Sequence, residues 1–260
     1  MEVRWRHRTL GVHVEIHVEY AENRSLAQET MWSMVVNDEP WVRLLCTPEK
    51  LDYLALGFLA GEGIISKMSD VDMLEVHEGD SGAGNAILVR LSEPNQDLPS
   101  QRIIASGCTG GVTFDVGDNL QPMESRMTVT PQQISGLMQE MHRAAVEYRR
   151  TRGLHSAAVA TQEDILAFAE DIGRHNAVDK IRGECLARDI VTSDRLVLTS
   201  GRISSEMLRK AIMMDAPIIV SRTSPTDLSV EVARRLNVTI VGYVRGKRMR
   251  VYSGRQRVLS

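Results

Sequence analysis

The sequence predicts an α/β protein whose second half is a sheet built from βαβ units, with a smaller N-terminal α+β part ahead of it. Three observations carry this. Over the last hundred or so residues, short apolar runs alternate with helical periods, the pattern of strands joined by crossover helices in a largely parallel sheet. Earlier, residues 30–46 (TMWSMVVNDEPWVRLLC) read as strand, turn, strand, and one amphipathic helix follows. Between the two parts, residues 106–126 are polar and glycine-rich without a helical period. The expected organisation is a single unit, loosely divided into an N-terminal subdomain at 1–126 and a core at 127–260.

At the N-terminus Val12, Val14, Ile16 and Val18 alternate with His13, Glu15 and His17, which marks a half-buried strand. His13 and His17 share its polar face. No third ligand is evident nearby, so solvated histidines are expected rather than a metal site. Thr47 as N-cap, Pro48 at the first helical position and Glu49 in the first turn announce a helix. Its apolar face is Leu51, Leu54, Ala55, Phe58 and Leu59, and Gly61-Glu62-Gly63 ends it. Residues 86–91 and 101–105 read as strands, and 106–126 as a mobile loop. Thr130 and Gln133 form a capping-box pattern with Pro131 at the first helical position. Ile134, Leu137, Met138 and Met141 line that helix. Strands at 156–160 and 164–169 share a turn at 161–164. A helix at about 174–187, a strand at 195–199, a helix near 203–214, a strand at 217–221, a helix at 226–236 and strands at 238–244 and 248–252 complete the chain.

Composition excludes several classes. With 43% hydrophobic and 25% charged residues the chain is an ordinary globular protein. Early basic residues are not followed by an apolar run of signal-peptide length, and no stretch approaches the roughly 20 apolar residues of a membrane span. A cytoplasmic protein without membrane contact is expected. A net charge of −3 argues against a general nucleic-acid binder. Three scattered cysteines make no disulfide framework and no C-x-x-C pair. The charge is uneven, however: from Gly242 onward there are six Lys or Arg and no acid.

Three strand-to-helix junctions share one chemistry. They are Asp171-Ile172-Gly173-Arg174-His175-Asn176, Thr199-Ser200-Gly201-Arg202-Ile203-Ser204-Ser205 and Ser221-Arg222-Thr223-Ser224-Pro225-Thr226. Each sets an Arg and small polar side chains where a helix N-terminus would expose N–H groups, a seat for phosphate oxygens. Capping alone accounts for any one of them. Three on one sheet edge point to an anionic, nucleotide-like ligand. Cys46 ends an apolar strand and Cys185 shares a helix face with Val178 and Ile181, so both read as core. Cys108 alone lies in the glycine-rich loop, where it reads either as an ordinary loop cysteine or as an accessible thiolate able to exchange sulfur.

The segments EPWVRLLCTPEKLDYLALGFLAGEGII, SGCTGG, GLHSAAVA, EDIGRHNAVDKI, TSGRISSEMLRKA, PIIVSRTSPT and VGYVRGKRMRVYS resemble, in order and spacing, the FdhD/NarQ family of formate dehydrogenase accessory proteins. The resemblance runs from about residue 30 to the C-terminus. It implies a cytidine deaminase-like mixed sheet flanked by helices. It also implies a sulfurtransferase that takes persulfide sulfur from a cysteine desulfurase. Cys108 would deliver that sulfur to the Mo-bis(molybdopterin guanine dinucleotide) cofactor before insertion into formate dehydrogenase. Cys108 matches the first cysteine of the family's loop motif, and Gly111 stands where many members have a second. This departure weighs against a relay between two cysteines, whereas a single persulfide carrier remains chemically sufficient.

The family's cofactor-binding stretch falls on Tyr243, Val244, Arg245, Gly246, Lys247 and Arg248. By position, Arg174, His175, Ser200, Gly201, Arg202, Ser221 and Arg222 are expected to hold the cofactor's phosphates, with GDP as a mimic. Deaminase chemistry is excluded on residues, because the first junction lacks the glutamate and the second the cysteines of a zinc site. No bound metal is expected. His155, heading a strand, reads as a structural hydrogen-bonding residue, and His175 as either a ligand contact or a capping neighbour. A homodimer is expected from the resemblance; the helical methionines Met207, Met213 and Met214 read either as a face for a second subunit or, more commonly at helical spacing, as plain core. A non-catalytic cofactor-binding chaperone for apo-formate dehydrogenase is the alternative, and a nucleotide hydrolase a third reading without a positioned carboxylate–nucleophile pair.

Overall fold

The computed structural model describes residues 2–9, 12–19, 26–79, 84–93, 102–104 and 120–259. Strands β1 (Glu2–Thr9) and β2 (Val12–Glu19) pair antiparallel as a two-stranded sheet. The alternation seen at Val12–Val18 thus does form a strand.

Five strands make the N-terminal sheet: β3 (Thr30–Val36), β4 (Glu39–Cys46), β5 (Val71–His77), β6 (Ala86–Leu91) and β7 (Arg102–Ile104), in the order β5-β6-β3-β4-β7. The β3–β4 hairpin closes on Asn37 and Asp38, both with positive φ (52° and 68°). This is the backbone that two-residue hairpin turns require and that Asn and Asp tolerate. Helix α1 (Leu51–Gly61) belongs to the core of this sheet, with Leu54, Ala55 and Leu59 fully buried beside Trp32, Met34 and Ile87.

The start of α1 departs from expectation. Thr47 is not its N-cap: the helix begins at Leu51, after Lys50 in a left-handed conformation without a side-chain cap. Thr47 is buried and committed elsewhere. Its N–H donates to Asp171 Oδ2 (3.0 Å), its Oγ1 accepts from Ile172 N–H (3.2 Å) and its carbonyl accepts from Lys180 Nζ (2.9 Å). Tertiary demand overrode a local capping signal.

The second sheet holds β8 (His155–Ala160), β9 (Ile165–Asp171), β10 (Leu196–Thr199), β11 (Ile218–Ser221), β12 (Thr239–Arg245) and β13 (Arg248–Ser253), in the order β13-β12-β11-β10-β8-β9. Only β10, β11 and β12 pair in parallel; β8–β10, β8–β9 and β12–β13 are antiparallel. The sheet is therefore mixed, not largely parallel. The links from β8 to β9 and from β12 to β13 are tight turns, too short for the crossover a parallel pair needs.

Its two faces are covered separately. Helix α2 (Pro131–Ala144) buries Ile134, Leu137, Met138 and Met141 against Ala158, Leu198, Val220 and Val241. Helices α4 (Arg174–Ala187), α5 (Ser205–Ile212) and α6 (Asp227–Arg235) cover the other face, onto Val159, Val197 and Ile219. The expected capping box opens α2: Gln133 N–H donates to Thr130 Oγ1 (3.2 Å) and Thr130 N–H to Gln133 Oε1 (2.9 Å). A short α3 (Val146–Thr151) follows. Met207 and Met214 are buried in this core, which decides for plain core over a subunit contact. Among the described residues no helix is long and apolar enough to cross a membrane.

Candidate functional site

Because β8 runs antiparallel between β9 and β10, the carboxyl ends of β9, β10, β11 and β12 and the amino end of β8 share one sheet edge. Sheets of this kind bind ligands beyond such an edge. Every expected binding residue within 171–248 lies on it. Cys108 lies outside the described residues, as does the rest of its loop up to residue 119. Residues 120–126 have neither helix nor strand and are tied down: Met123 N–H donates to Leu236 O (2.9 Å), and Asn237 Nδ2 donates back to Met123 O (2.8 Å).

The edge has a rigid foundation. Asp171 ends β9 fully buried, paired with equally buried Lys180 at 2.7 Å. Its remaining oxygen sites accept from Gly173 N–H (2.8 Å), Asn176 Nδ2 (2.9 Å) and Thr47 N–H. A buried ion pair is tolerable only when its lone pairs are satisfied in this way. The network fixes Gly173, and with it the first turn of α4 that carries Arg174 and His175.

Arg174 lies against the next junction. A Cβ on Gly201 would sit 2.9 Å from Arg174 Cβ and 3.1 Å from its Cδ, so the absent side chain gives the arginine its place. Gly201 O accepts from the Ser221 hydroxyl, and Ser221 Oγ accepts from Thr223 N–H (3.0 Å). Ser200 Oγ accepts from Ser156 N–H (2.9 Å) and lies 3.2 Å from His155 Nδ1. His155 thus has the structural contact expected of it. Burial pushes its pKa below the usual histidine value, and the charge of Arg174 lowers it further.

His175 Nδ1 lies 3.0 Å from Glu206 Oε1 of α5, an ion-pair distance at which the ring N–H is not aligned on the carboxylate. Burial pushes the Glu206 carboxyl upward. The interaction with His175, with help from Lys210 and Arg174, outweighs this and leaves the pKa lowered. Glu206 is a member of the edge that the sequence reading did not single out.

Two junctions do not have the expected helix-end geometry. Arg174 is the first residue of α4, but Arg202 and Arg222 come three and five residues before α5 and α6 begin. Those helix ends are capped by Ser204, which accepts from Met207 N–H, and by Thr226, which accepts from Ser229 N–H. The two loops instead zip together: Ile203 N–H donates to Ser224 O (3.2 Å) and Thr226 N–H to Ile203 O (2.9 Å). Arg202 is exposed to solvent. Guanidinium charge, not a helix dipole, is what these two loops offer an anion.

A groove of about 380 Å³ opens beside Arg222. One wall is the end of β12 and its turn (Val244, Arg245, Gly246); the other is α2 (Ser135, Met138, Gln139, His142, Arg143). Ser135 Oγ donates to Gly246 O (2.8 Å), which ties the walls together. Tyr243 has a positive φ of 52°, with the Arg245 and Arg250 guanidiniums 5.9 and 5.0 Å from its ring centroid. Lys247 and Arg248 are exposed on the turn. The contribution of α2 was not visible in the sequence, where its polar face looks like any solvated helix face.

The expected residues therefore form two neighbouring groups. Arg174, His175, Ser200 and Gly201 gather at β9 and β10; Arg222 and residues 243–248 gather at the groove, and Ser221 links the two. Among the described residues no group of His, Cys, Asp and Glu is arranged to hold a metal ion.

Comparison with known proteins matches this architecture. The FdhD/NarQ family pattern fits residues 27–259. A sulfur carrier protein FdhD of Geobacillus kaustophilus is 34% identical over 241 residues, covering 92% of this chain and 91% of that protein. The protein of the same name from Bacillus subtilis is 34% identical over 229 residues, 87% of each chain. A solved structure from Desulfotalea psychrophila, whose name assigns it as a formate dehydrogenase accessory protein, superposes with a TM-score of 0.75. It is 24% identical and covers 100% of this chain and 99% of its own, a likeness of fold. On the family match and the extent of these relatives, the chain belongs to the FdhD/NarQ family.

Proposed function

We propose that the chain is a sulfur carrier in the maturation of formate dehydrogenase, a sulfurtransferase working through Cys108. The thiolate of Cys108 attacks the terminal sulfur of a persulfide on a cysteine desulfurase. One S–S bond breaks, another forms on Cys108, the donor leaves as thiolate, and no net oxidation occurs. The sulfur then passes to the Mo-bis(molybdopterin guanine dinucleotide) cofactor, handled as cargo, before that cofactor enters the dehydrogenase.

The observation that carries this reading is the unfitness of the other two cysteines. Cys46 and Cys185 are buried, and burial pushes both thiols up to about 12. Neither can supply a thiolate near neutral pH, which leaves Cys108 of the three in the chain. Relatives bearing the name sulfur carrier protein support the role. The arginine-lined edge supports binding of the cargo's phosphates by Arg174, Arg222 and Arg245, with GDP as a mimic. Three scattered cysteines, too few for a disulfide framework, suit work in the cytoplasm. A homodimer rests on the family resemblance alone.

Mass spectrometry after incubation with a cysteine desulfurase and cysteine tests the carrier. One added sulfur is expected on the wild type, on Cys46→Ala and on Cys185→Ala, and none on Cys108→Ala. Loading that persists without Cys108 overturns the assignment. If Cys108→Ala restores formate dehydrogenase activity to cells lacking the protein while Arg202→Ala does not, the chain is a cofactor-binding chaperone instead.

A further inference from the structure

The groove between α2 and the β12–β13 turn contains a contact that a simple phosphate cradle does not need. Arg222 Nη1, from the loop after β11, lies 3.4 Å from His142 Nδ1 on α2. A guanidinium carries only donors, so Nδ1 must be the acceptor. The imidazole is therefore neutral, with its proton on Nε2, and it holds the arginine that the site would present to an anion.

The surroundings of His142 are cationic from every side. Arg222 faces it from the β11–α6 loop, Arg143 adjoins it on α2, and Arg245 lines the opposite wall. From α3, Arg149 Nη1 donates to the carbonyls of His142 and Arg143, and the Tyr148 ring packs edge-on at 6.0 Å, with Arg152 over that ring. Among the described residues no carboxylate lines the groove. Burial, then the charges of Arg222, Arg149 and Arg152, hold His142 below the ordinary histidine pKa. The geometry and the charge agree: both disfavour a proton on this ring in the free protein.

We infer that the Arg222–His142 hydrogen bond is a proton-linked latch, opened when a diphosphate diester takes Arg222 and leaves His142 Nδ1 free to bind a proton. The inference rests on the reading that this edge holds a guanine dinucleotide. Two negative charges among Arg143, Arg222 and Arg245 offset the repulsion that keeps His142 neutral. The protonated ring then becomes a further donor to the ligand. The groove, at about 380 Å³, admits a diphosphate with part of a nucleoside. Linkage fixes the sign: a ligand that raises a group's pKa binds more tightly as pH falls through the bound-state value. The gain levels off once the free ring is itself protonated.

Di(guanosine-5′) diphosphate is the probe, because its phosphates are diesters and hold constant charge across neutral pH. Calorimetry of the whole protein in two buffers of different ionisation enthalpy is expected to show proton uptake. Affinity is expected to be several-fold higher near pH 6 than near pH 8. Nitrogen NMR of histidine-labelled protein should show the His142 ring passing from the neutral Nε2–H form to the imidazolium on binding, with H142Q identifying its signals. A ring that stays neutral in the complex, or uptake that persists in H142Q, overturns the latch and leaves the groove reading intact. Absence of binding at every pH removes both.

Discussion

Gly57 of α1 and Gly183 of α4 face each other where the two helices cross, and neither position has room for a side chain. A Cβ on Gly57 would fall 1.7 Å from the Asp179 carbonyl oxygen, and one on Gly183 would fall 1.9 Å from that of Tyr53. The obstacles are main chain, which cannot rotate away. Gly57→Ala and Gly183→Ala are each expected to cost at least about 3 kcal/mol, the upper end for overpacking. Urea midpoints measure this, and an alanine variant with a wild-type midpoint would show that the crossing is looser than described.

The close crossing brings β9 and α4 within reach of Thr47, and the Lys180–Asp171 pair sits there with no exposure. Lys180→Met leaves Asp171 buried and uncompensated, which costs about 3–5 kcal/mol. Adding Asp171→Asn removes the charge while keeping an oxygen for Gly173 N–H. The double variant should therefore be more stable than Lys180→Met alone. A double variant that is less stable would mean that the carboxylate is held by its N–H donors, with the lysine incidental.

How much of this was legible follows from the range of each interaction. Helix α4 and strands β8 to β13 were recognisable because apolar period and turn residues are local signals, and the Thr130–Gln133 box named the start of α2 to the residue. Strand β5 escaped notice because it is an edge strand with no buried residue, and α3 because six residues are too few to show a period. Thr47 had every local mark of a cap, yet its partners are more than a hundred residues away. The same holds for the site. Arg222 was visible as a charge beside a strand end. His142, 80 residues earlier, looked like a polar residue on the wet side of a helix.

Thiol labelling tests the cysteine argument in the folded state. A pH of about 8 lies far below the value of about 12 to which burial pushes the Cys46 and Cys185 thiols, and both are shielded from reagent. An aromatic disulfide reagent is expected to titrate at most one thiol before unfolding and all three in denaturant. Cys108→Ala should then show no labelling until it unfolds. Rapid labelling of that variant would show that one of the two core cysteines is reachable and would reopen the choice of carrier.

His155 makes stability depend on pH in a predictable direction. Its ring is held below the ordinary value first by burial, then by Arg174 and, more weakly, His175; Asp171 acts the other way. Unfolded, it titrates near its usual pKa of about 6.5, so below that pH the unfolded chain binds more protons than the native one. Stability is therefore complete above about pH 6.5 and is lost as pH falls toward the depressed native value. His142 contributes with the same sign from the other side of the sheet edge. His155→Asn, which can keep a partner for Ser200, should remove part of the decline in urea midpoint between about pH 6.5 and 5, and His142→Gln a separate part. A decline unchanged in both variants would assign the acid sensitivity to groups away from this edge.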